Sequence, residues 1–141
     1  MLPDMLREFL EIEKKYMRIL TKTAQNFGLT VSEWVLLGKI EEGKNTQSQL
    51  AKDLQLDVST LSRQLKGLVT KGLLAKGSKT PEKNFYYEIS SAGQKTFKQM
   101  TNALEKLAQQ LFSTWSAEDK KRLQELMLNL NQGIMKISEN N

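Results

Sequence analysis

The chain has 141 residues, which is enough for one domain or for one small domain with helical extensions. Apolar residues make up 39% of it, so a core can form, and no apolar run approaches the roughly 20 residues of a membrane-spanning helix. The absence of cysteine and histidine excludes disulfides, thiol chemistry, Cys/His zinc sites and histidine-dependent catalysis. We therefore expect a cytoplasmic protein that is not an enzyme and that uses no membrane, no cofactor and no metal.

The net charge of +5 is distributed unevenly along the chain. Between Asp57 and Lys83 there are six basic and two acidic residues, which gives this segment a net charge of +4. A basic patch favours a phosphate-bearing partner, although a solvated charged face is the commoner origin of such runs. The elements that carry these charges decide between the two interpretations.

The first helix is predicted from Leu2 to about Asn26, because apolar residues recur there every three to four positions, and Gly28 ends it. The segment Thr30–Glu33 has the pattern of a capping box, in which side chains and backbone amides at a helix start satisfy each other. It predicts a second helix that runs to about Glu42 and is closed by Gly43.

A helix-turn-helix is predicted next. A second capping box, Thr46–Gln49, starts a short helix. Asp57 then caps a further helix through about Lys71, and Gly72 supplies the stop. Because only a few residues separate the two helices, they form one compact motif.

A β-hairpin follows the motif. Leu73–Lys76 and the aromatic segment Phe85–Ile89 predict its strands, with a polar tip at Gly77–Asn84. A helix-turn-helix followed by a hairpin is a winged-helix arrangement.

Two long helices complete the chain. Ser91–Gln94 predicts the cap of a helix that runs to about Trp115, and Ser116–Asp119 predicts the cap of a last helix to about Ser138. The predicted fold is therefore mainly α with a small β-wing, a winged helix-turn-helix flanked by long N- and C-terminal helices.

The helix predicted to follow Asp57 has two different sides at about 100° per residue. The side that we expect to hold it to the core contains Val58, Leu61, Leu65, Leu68 and Val69; the other contains Ser59, Thr60, Arg63, Lys66 and Thr70. Small hydroxyls permit close approach, and arginine can pair bidentately with guanine, so the second face suits a DNA major groove. A merely solvated face is the alternative for an isolated helix, but the capped helix before it and the wing after it favour DNA.

This interpretation names the candidate DNA-binding residues. In the recognition helix they are Ser59, Thr60, Arg63, Gln64 and Lys66, and in the rest of the helix-turn-helix and the wing they are Thr46, Gln47, Lys71, Lys76, Lys79 and Lys83. Among them Arg63 is the predicted base-reading residue.

The terminal helices carry apolar stripes that the small winged helix cannot cover alone. Packing on a second copy is the economical solution, and a monomer whose terminal helices pack on each other is the alternative. The residues predicted to form this homodimer are Leu2, Leu6, Phe9, Leu123, Leu126, Leu130, Ile134 and Ile137. Two-fold symmetry predicts half-sites about 10 base pairs apart in a pseudo-palindromic operator.

Five consecutive blocks of the chain resemble those of the MarR family, the multiple-antibiotic-resistance regulators of bacteria and archaea. The blocks are Leu29–Leu37, Thr46–Ala51, Asp57–Arg63, Leu68–Leu73 and Ile89–Gly93. The resemblance covers roughly residues 2 to 137. It implies a winged-helix homodimer, usually a repressor, with dimerisation helices at 1–28 and 91–141 and a DNA-binding region at 29–90. It also implies that a small, often aromatic or anionic effector releases the operator, as in many members.

The wing departs from the family pattern. The family commonly carries an aspartate and, two residues later, an arginine, and these positions correspond to Pro81 and Lys83 here. Lysine keeps the charge but loses the planar fork of arginine, so we expect Lys79 and Lys83 to contact phosphate more than base edges.

The roles of two tryptophans and two alternative functions also need to be considered. Trp34 and Trp115 could stack on an aromatic effector, but the pattern favours a core position for Trp34 and a helix end for Trp115. The alternative function is a helical protein-interaction module with a winged-helix core and only non-specific DNA affinity. An enzyme ranks last, because neighbouring carboxylates such as Glu41 and Glu42 point to different helical faces.

Overall fold

A computed structural model describes residues 2–79 and 85–140, with the side chains of Leu2, Ser78, Lys79 and Phe85 left out. The predicted order of elements is confirmed. In chain order the elements are α1 (Leu2–Asn26), α2 (Val31–Glu41), α3 (Gln47–Leu54), α4 (Val58–Thr70), β1 (Leu74–Lys79), β2 (Phe85–Ile89), α5 (Ser91–Leu111) and α6 (Ala117–Glu139). This is a winged helix-turn-helix between long terminal helices, as the sequence predicts.

The helix starts are set by local hydrogen bonds. At α2, the Glu33 amide donates to the Thr30 hydroxyl at 3.1 Å and the Thr30 amide donates to the Glu33 carboxylate at 2.9 Å. Thr46 and Gln49 make the same reciprocal pair at α3. Each capping box satisfies amides that no preceding turn of helix can reach, which fixes where the helix begins.

The turn between α3 and α4 and the stop after α4 use left-handed backbone. Gln55 has φ 52° in the turn, and Gly72 has φ 75° directly after α4. Glycine adopts this conformation without steric cost, so Gly72 lets the chain leave α4 and enter β1 within a few residues.

The core of the winged helix is made of leucine side chains from three helices. The largest fully buried side chains are Leu36, Leu37, Leu50, Leu61, Leu65, Leu68 and Met100. The leucines come from α2, α3 and α4, so the core holds α4 from one side only.

The wing is an antiparallel pair of strands attached to the start of α3. Leu74 pairs with Ile89 and Lys76 with Tyr87, and the register shifts between Lys76 and Lys79. The Tyr87 amide donates to the Asn45 carbonyl at 2.9 Å, which joins β2 to the residue just before the helix-turn-helix. The prediction that the tip begins at Gly77 is wrong: β1 continues to Lys79.

Two predicted details of α5 are also wrong. Ser90, not Ser91, caps the helix, since its hydroxyl accepts from the Gly93 amide at 3.0 Å and donates to the Gly72 carbonyl at 2.6 Å. The helix ends at Leu111 and not near Trp115. Trp115 lies in the turn before α6, where its ring and that of Phe112 pack nearly at right angles at a centroid distance of 5.0 Å.

The chain divides into two compact units, Met1–Ala103 and Leu104–Asn141. In the first unit, α1 exposes an apolar stripe that includes Leu6 and Phe9. In the second unit, α6 exposes Leu126, Leu130, Ile134 and Ile137, while Leu123 is half-buried. Among the described residues no helix combines the length and apolar content needed to cross a membrane.

Candidate nucleic-acid interface

Helix α4 buries a narrower apolar side than its periodicity predicts. Leu61, Leu65 and Leu68 are buried, but Val58 and Val69 are 65% and 37% exposed, so their predicted core positions are wrong. Val58 is the first helical residue, and since helical side chains lean toward the N-terminus it points beyond the end of the core. Val69 lies at the edge of the buried side of α4.

The outward face of α4 is polar and open to solvent. Ser59, Ser62, Arg63 and Lys66 are exposed along it, and three of these four are predicted DNA-binding residues. Ser62 is the one absent from the prediction; its place three residues after Ser59 and four before Lys66, on the same side of the helix, is the signal that could have found it. Since α4 is the second helix of a helix-turn-helix, this is the face that such motifs present to base edges.

Thr60 and Gln64 lie to one side of this face. Both are half-buried, and the Gln64 side-chain oxygen is buried with no hydrogen-bond partner in the described part of the chain. An amide held in this way has less freedom to reach a base than Arg63 or Lys66, which are exposed.

The start of α4 is ordered by a carboxylate. Asp57 Oδ1 accepts from the Thr60 amide at 2.7 Å and from the Ser59 hydroxyl at 2.8 Å. The Thr60 backbone hydrogen bond, followed by the side-chain bonds from Ser59 and Thr60, lowers the pKa of Asp57. Because the Ser59 hydroxyl donates its proton to Asp57, the oxygen of Ser59 is left as an acceptor, which suits the amino groups of adenine or cytosine.

The two helices of the motif are joined by a side-chain hydrogen bond. The Gln47 amide nitrogen, at the start of α3, donates to the Ser62 hydroxyl of α4 at 2.7 Å. Thr46 uses both its amide and its hydroxyl in the capping box of α3. Of these two predicted DNA-binding residues, Gln47 therefore lies against the exposed polar face of α4, whereas the amide and hydroxyl of Thr46 are used to cap α3.

The structure gives Lys71 a partner inside the protein. Its ammonium donates to Glu33 Oε1 at 2.7 Å and to the Gly28 carbonyl at 2.9 Å. The Glu33 side chain is only 7% exposed, and that of Lys71 is 41% exposed. The basic segment of the sequence predicts a DNA contact for Lys71, and this stays a prediction; within the chain, Lys71 ties the end of α4 to the turn after α1 and to the start of α2.

The wing carries the remaining predicted cations. Lys76 is exposed on β1, and Lys79 is the last residue of that strand. Pro81 and Lys83 lie outside the described residues, so their roles stay predictions from sequence. A Cβ on Gly77 would overlap the ring of Tyr86, so the glycine leaves room for that ring beside β1.

A concave surface lies at the turn between α5 and α6. It has a volume of about 330 Å³ and is lined by Ala108, Gln109, Phe112, Ser113, Trp115 and Lys120. The Trp34 ring is half-buried on α2, and its indole N–H is buried with no partner among the described residues. Neither tryptophan has a described contact that identifies an effector. In the described part of the chain no group of His, Cys, Asp or Glu side chains could hold a metal ion.

Comparison with known proteins agrees with this architecture. Residues 27–82, which contain the helix-turn-helix and the first strand of the wing, match the model of the MarR family. No curated protein sequence matches the chain.

Solved structures match over nearly the whole chain. Wild-type apo MarR from E. coli has a TM-score of 0.73 at 22% identity and covers 88% of this chain and 93% of its own. The S. aureus MepR–DNA complex has a TM-score of 0.74 at 20% identity, with 89% and 93% covered. S. aureus MarR in complex with salicylate and kanamycin has a TM-score of 0.85 at 14% identity, with 95% and 92% covered.

Proposed function

We propose that this chain, whose residues 27–82 match the model of the MarR family, is a member of that family and a sequence-specific regulator of transcription that binds double-stranded DNA as a homodimer. The observation that carries the proposal is the exposed face of α4, where Ser59, Arg63 and Lys66 stand out from a helix whose opposite side is buried. A face of small hydroxyls and two cations has the chemistry of major-groove readout.

Within this face we assign different tasks to the charged groups. The Arg63 guanidinium can donate two parallel hydrogen bonds to guanine O6 and N7, which identifies one base pair. The Lys66 ammonium lies less than one turn further along the helix and suits a phosphate, since a point charge has no planar geometry to match. Lys76, which is exposed on β1, suits a further phosphate contact, and Lys79 and Lys83 are candidates for the same role from the sequence alone.

The dimer is supported by apolar surface in both units of the chain. Leu6 and Phe9 on α1, and Leu130 and Ile134 on α6, are exposed although each is large and apolar. Burying one such side chain is worth roughly 1.5–3 kcal/mol, so a stripe of them favours association with a second copy. A two-fold dimer places its recognition helices about one helical turn of DNA apart, and the operator is then a pseudo-palindrome.

Repression is the regulatory outcome that we propose. A dimer bound over promoter DNA excludes polymerase, and any ligand that binds the free conformation more tightly lowers the DNA affinity by the difference in binding free energy. The effector is the part of the proposal that rests on the resemblance alone; titration of salicylate and related aromatic anions into the protein–DNA complex tests it.

The first experiment is selection of bound duplexes from a random pool at about 150 mM salt, followed by sequencing. We expect a two-fold motif with half-sites about 10 base pairs apart. A folded preparation that binds every duplex equally, with dissociation constants near 10⁻⁴ to 10⁻⁶ M, would contradict the proposal. It would favour the interaction-module alternative, in which the apolar stripes serve protein association.

A further inference from the structure

Val58 is an apolar residue in a polar surface. It is 65% exposed at the first helical position of α4, next to Ser59 and one turn before Ser62. Valine is a weak helix former, because its branched side chain loses rotamer freedom against the helix. A side chain exposed to this extent also buries little area in the free protein, so neither helix formation nor core packing accounts for a valine here.

The residues around Val58 already have their hydrogen bonds. Asp57 accepts from Ser59 and Thr60, and Gln47 donates to Ser62. These hydrogen bonds hold the first turn of α4 in place and leave the valine methyl groups projecting from an ordered helix start. In a helix-turn-helix, the N-terminal residues of the second helix are the ones that approach base edges.

An apolar group gains affinity in a major groove only where the groove offers another apolar group. The 5-methyl of thymine is that group in ordinary DNA, and 5-methylcytosine presents the same methyl at the same position of the ring. We propose that Val58 reads a pyrimidine 5-methyl group in each half-site. The inference rests on the proposed function, because it requires α4 to lie in a major groove.

The helix geometry separates this interaction from the one assigned to Arg63. At 100° per residue, Val58 and Arg63 lie about 140° apart around the helix and about 7.5 Å apart along it. The methyl group and the guanine therefore belong to different base pairs. Val58 then adds a second specified position to each half-site.

The size of the effect follows from the size of one methyl group. Removing a buried methyl costs about four-fold in affinity per half-site, and two symmetric half-sites give about 15-fold. Replacing thymine by deoxyuridine deletes this methyl without changing any hydrogen-bonding group of the base.

The test uses the full chain and the duplex selected from the random pool. Each symmetric pair of thymines is replaced by deoxyuridine in turn, and dissociation constants are measured for the wild type, Val58→Ala and Val69→Ala. We expect one pair of replacements to weaken the wild type about 15-fold and to leave Val58→Ala unchanged, since that variant has no side chain that reaches the methyl group. Val69→Ala is the matched control, because Val69 is also exposed but lies about 16 Å along the same helix; it should respond as the wild type does.

A second arm distinguishes the two sources of the methyl group. Each symmetric pair of cytosines is replaced by 5-methylcytosine, and tighter binding by the wild type but not by Val58→Ala would identify methylated cytosine as the group that is read. Alanine forms helix better than valine, so Val58→Ala should fold; the replacements in the DNA test the wild type in any case.

The outcomes are distinct. If the wild type selects a motif but tolerates every removal and addition of a 5-methyl group, the inference about Val58 is refuted and the proposed function stands. If a methyl effect occurs but is equally large in Val58→Ala, another residue reads the methyl group and the inference is refuted. If the folded wild type selects no motif, the proposed function fails and the inference fails with it.

Discussion

The Lys71–Glu33 pair offers a direct test of which cations of this chain serve the fold and which serve DNA. Lys71→Met removes the ammonium and keeps most of the aliphatic stem. After the substitution, the nearly buried Glu33 carboxylate keeps the hydrogen bond from the Thr30 amide at 2.9 Å. It loses the ion pair with the Lys71 ammonium at 2.7 Å. The same substitution releases the Gly28 carbonyl in the turn after α1.

The expected cost lies between two limits. Removing one partner of a fully buried pair costs about 3–5 kcal/mol, whereas an exposed pair contributes at most about 1 kcal/mol. Because Glu33 is 7% exposed and Lys71 is 41% exposed, solvent screens the pair from one side only. We therefore expect a loss of about 2 kcal/mol in the free energy of unfolding, which corresponds to roughly 6 °C in Tm for a chain of this size.

The assay compares Lys71→Met with Lys66→Met, which removes the same charge from the exposed face of the same helix. Thermal unfolding is followed by circular dichroism at one fixed protein concentration, since an oligomer makes Tm depend on concentration. Lys66→Met should leave Tm within about 1 °C of the wild-type value and should weaken DNA binding. The salt slope, which is the slope of log affinity against log salt concentration, should fall by about one for every phosphate that Lys66 no longer neutralises. Lys71→Met should lower Tm and, at a temperature where it is folded, keep the salt slope of the wild type. The opposite result, an unchanged Tm and a reduced slope for Lys71→Met, would refute the structural role and restore Lys71 as a phosphate-binding residue.

Four further predictions concern DNA binding, acid stability and assembly. Arg63→Ala should cost about 1–3 kcal/mol on the selected duplex and relax one symmetric base position; an equal loss on random duplexes would make Arg63 a phosphate-binding residue instead. Lys83→Ala should weaken all duplexes similarly and lower the salt slope by about one, whereas a loss confined to one base pair would show direct readout. The pKa of Asp57 is lowered in the folded state, so its carboxylate contributes fully to stability above the unfolded pKa of about 4, and this contribution is lost as pH falls through the folded pKa. The denaturant midpoint of the wild type should therefore be higher at pH 7 than at pH 3, and this difference should be smaller in Asp57→Asn. Ile134→Asp should shift the protein from dimer to monomer in analytical ultracentrifugation while leaving its helical circular dichroism largely intact, because Ile134 is exposed in the single chain.

The helix starts could be predicted from the sequence because capping is a local interaction. Thr30, Thr46, Asp57 and Ser116 each bond the amide three residues later, so a span of four residues contains the whole signal. The order of these caps, together with the hairpin after Gly72, was sufficient to predict the winged helix.

The errors occur where a distant part of the chain decides the outcome. Ser90 and Ser91 are both suitable caps, and the choice depends on Gly72 and Leu73, whose carbonyls accept from the Ser90 hydroxyl and amide. The partner of Lys71 is 38 residues away, and no pattern near Lys71 reveals it. Helical periodicity indicated the direction of Val58 around α4 but not its depth, because depth at a helix end depends on how far the surrounding core extends.

One local and two long-range sets of hydrogen bonds order the exposed polar face of α4 in the free chain. Asp57 fixes the first turn of α4, the Gln47–Ser62 hydrogen bond fixes its middle to α3, and Lys71 fixes its end to Gly28 and Glu33. A helix held at three levels loses little conformational entropy when it enters a groove, so more of the interaction energy is available as affinity. The readout that we propose for Val58 and Arg63 needs such positional accuracy, because in it each side chain discriminates between base pairs through a single group.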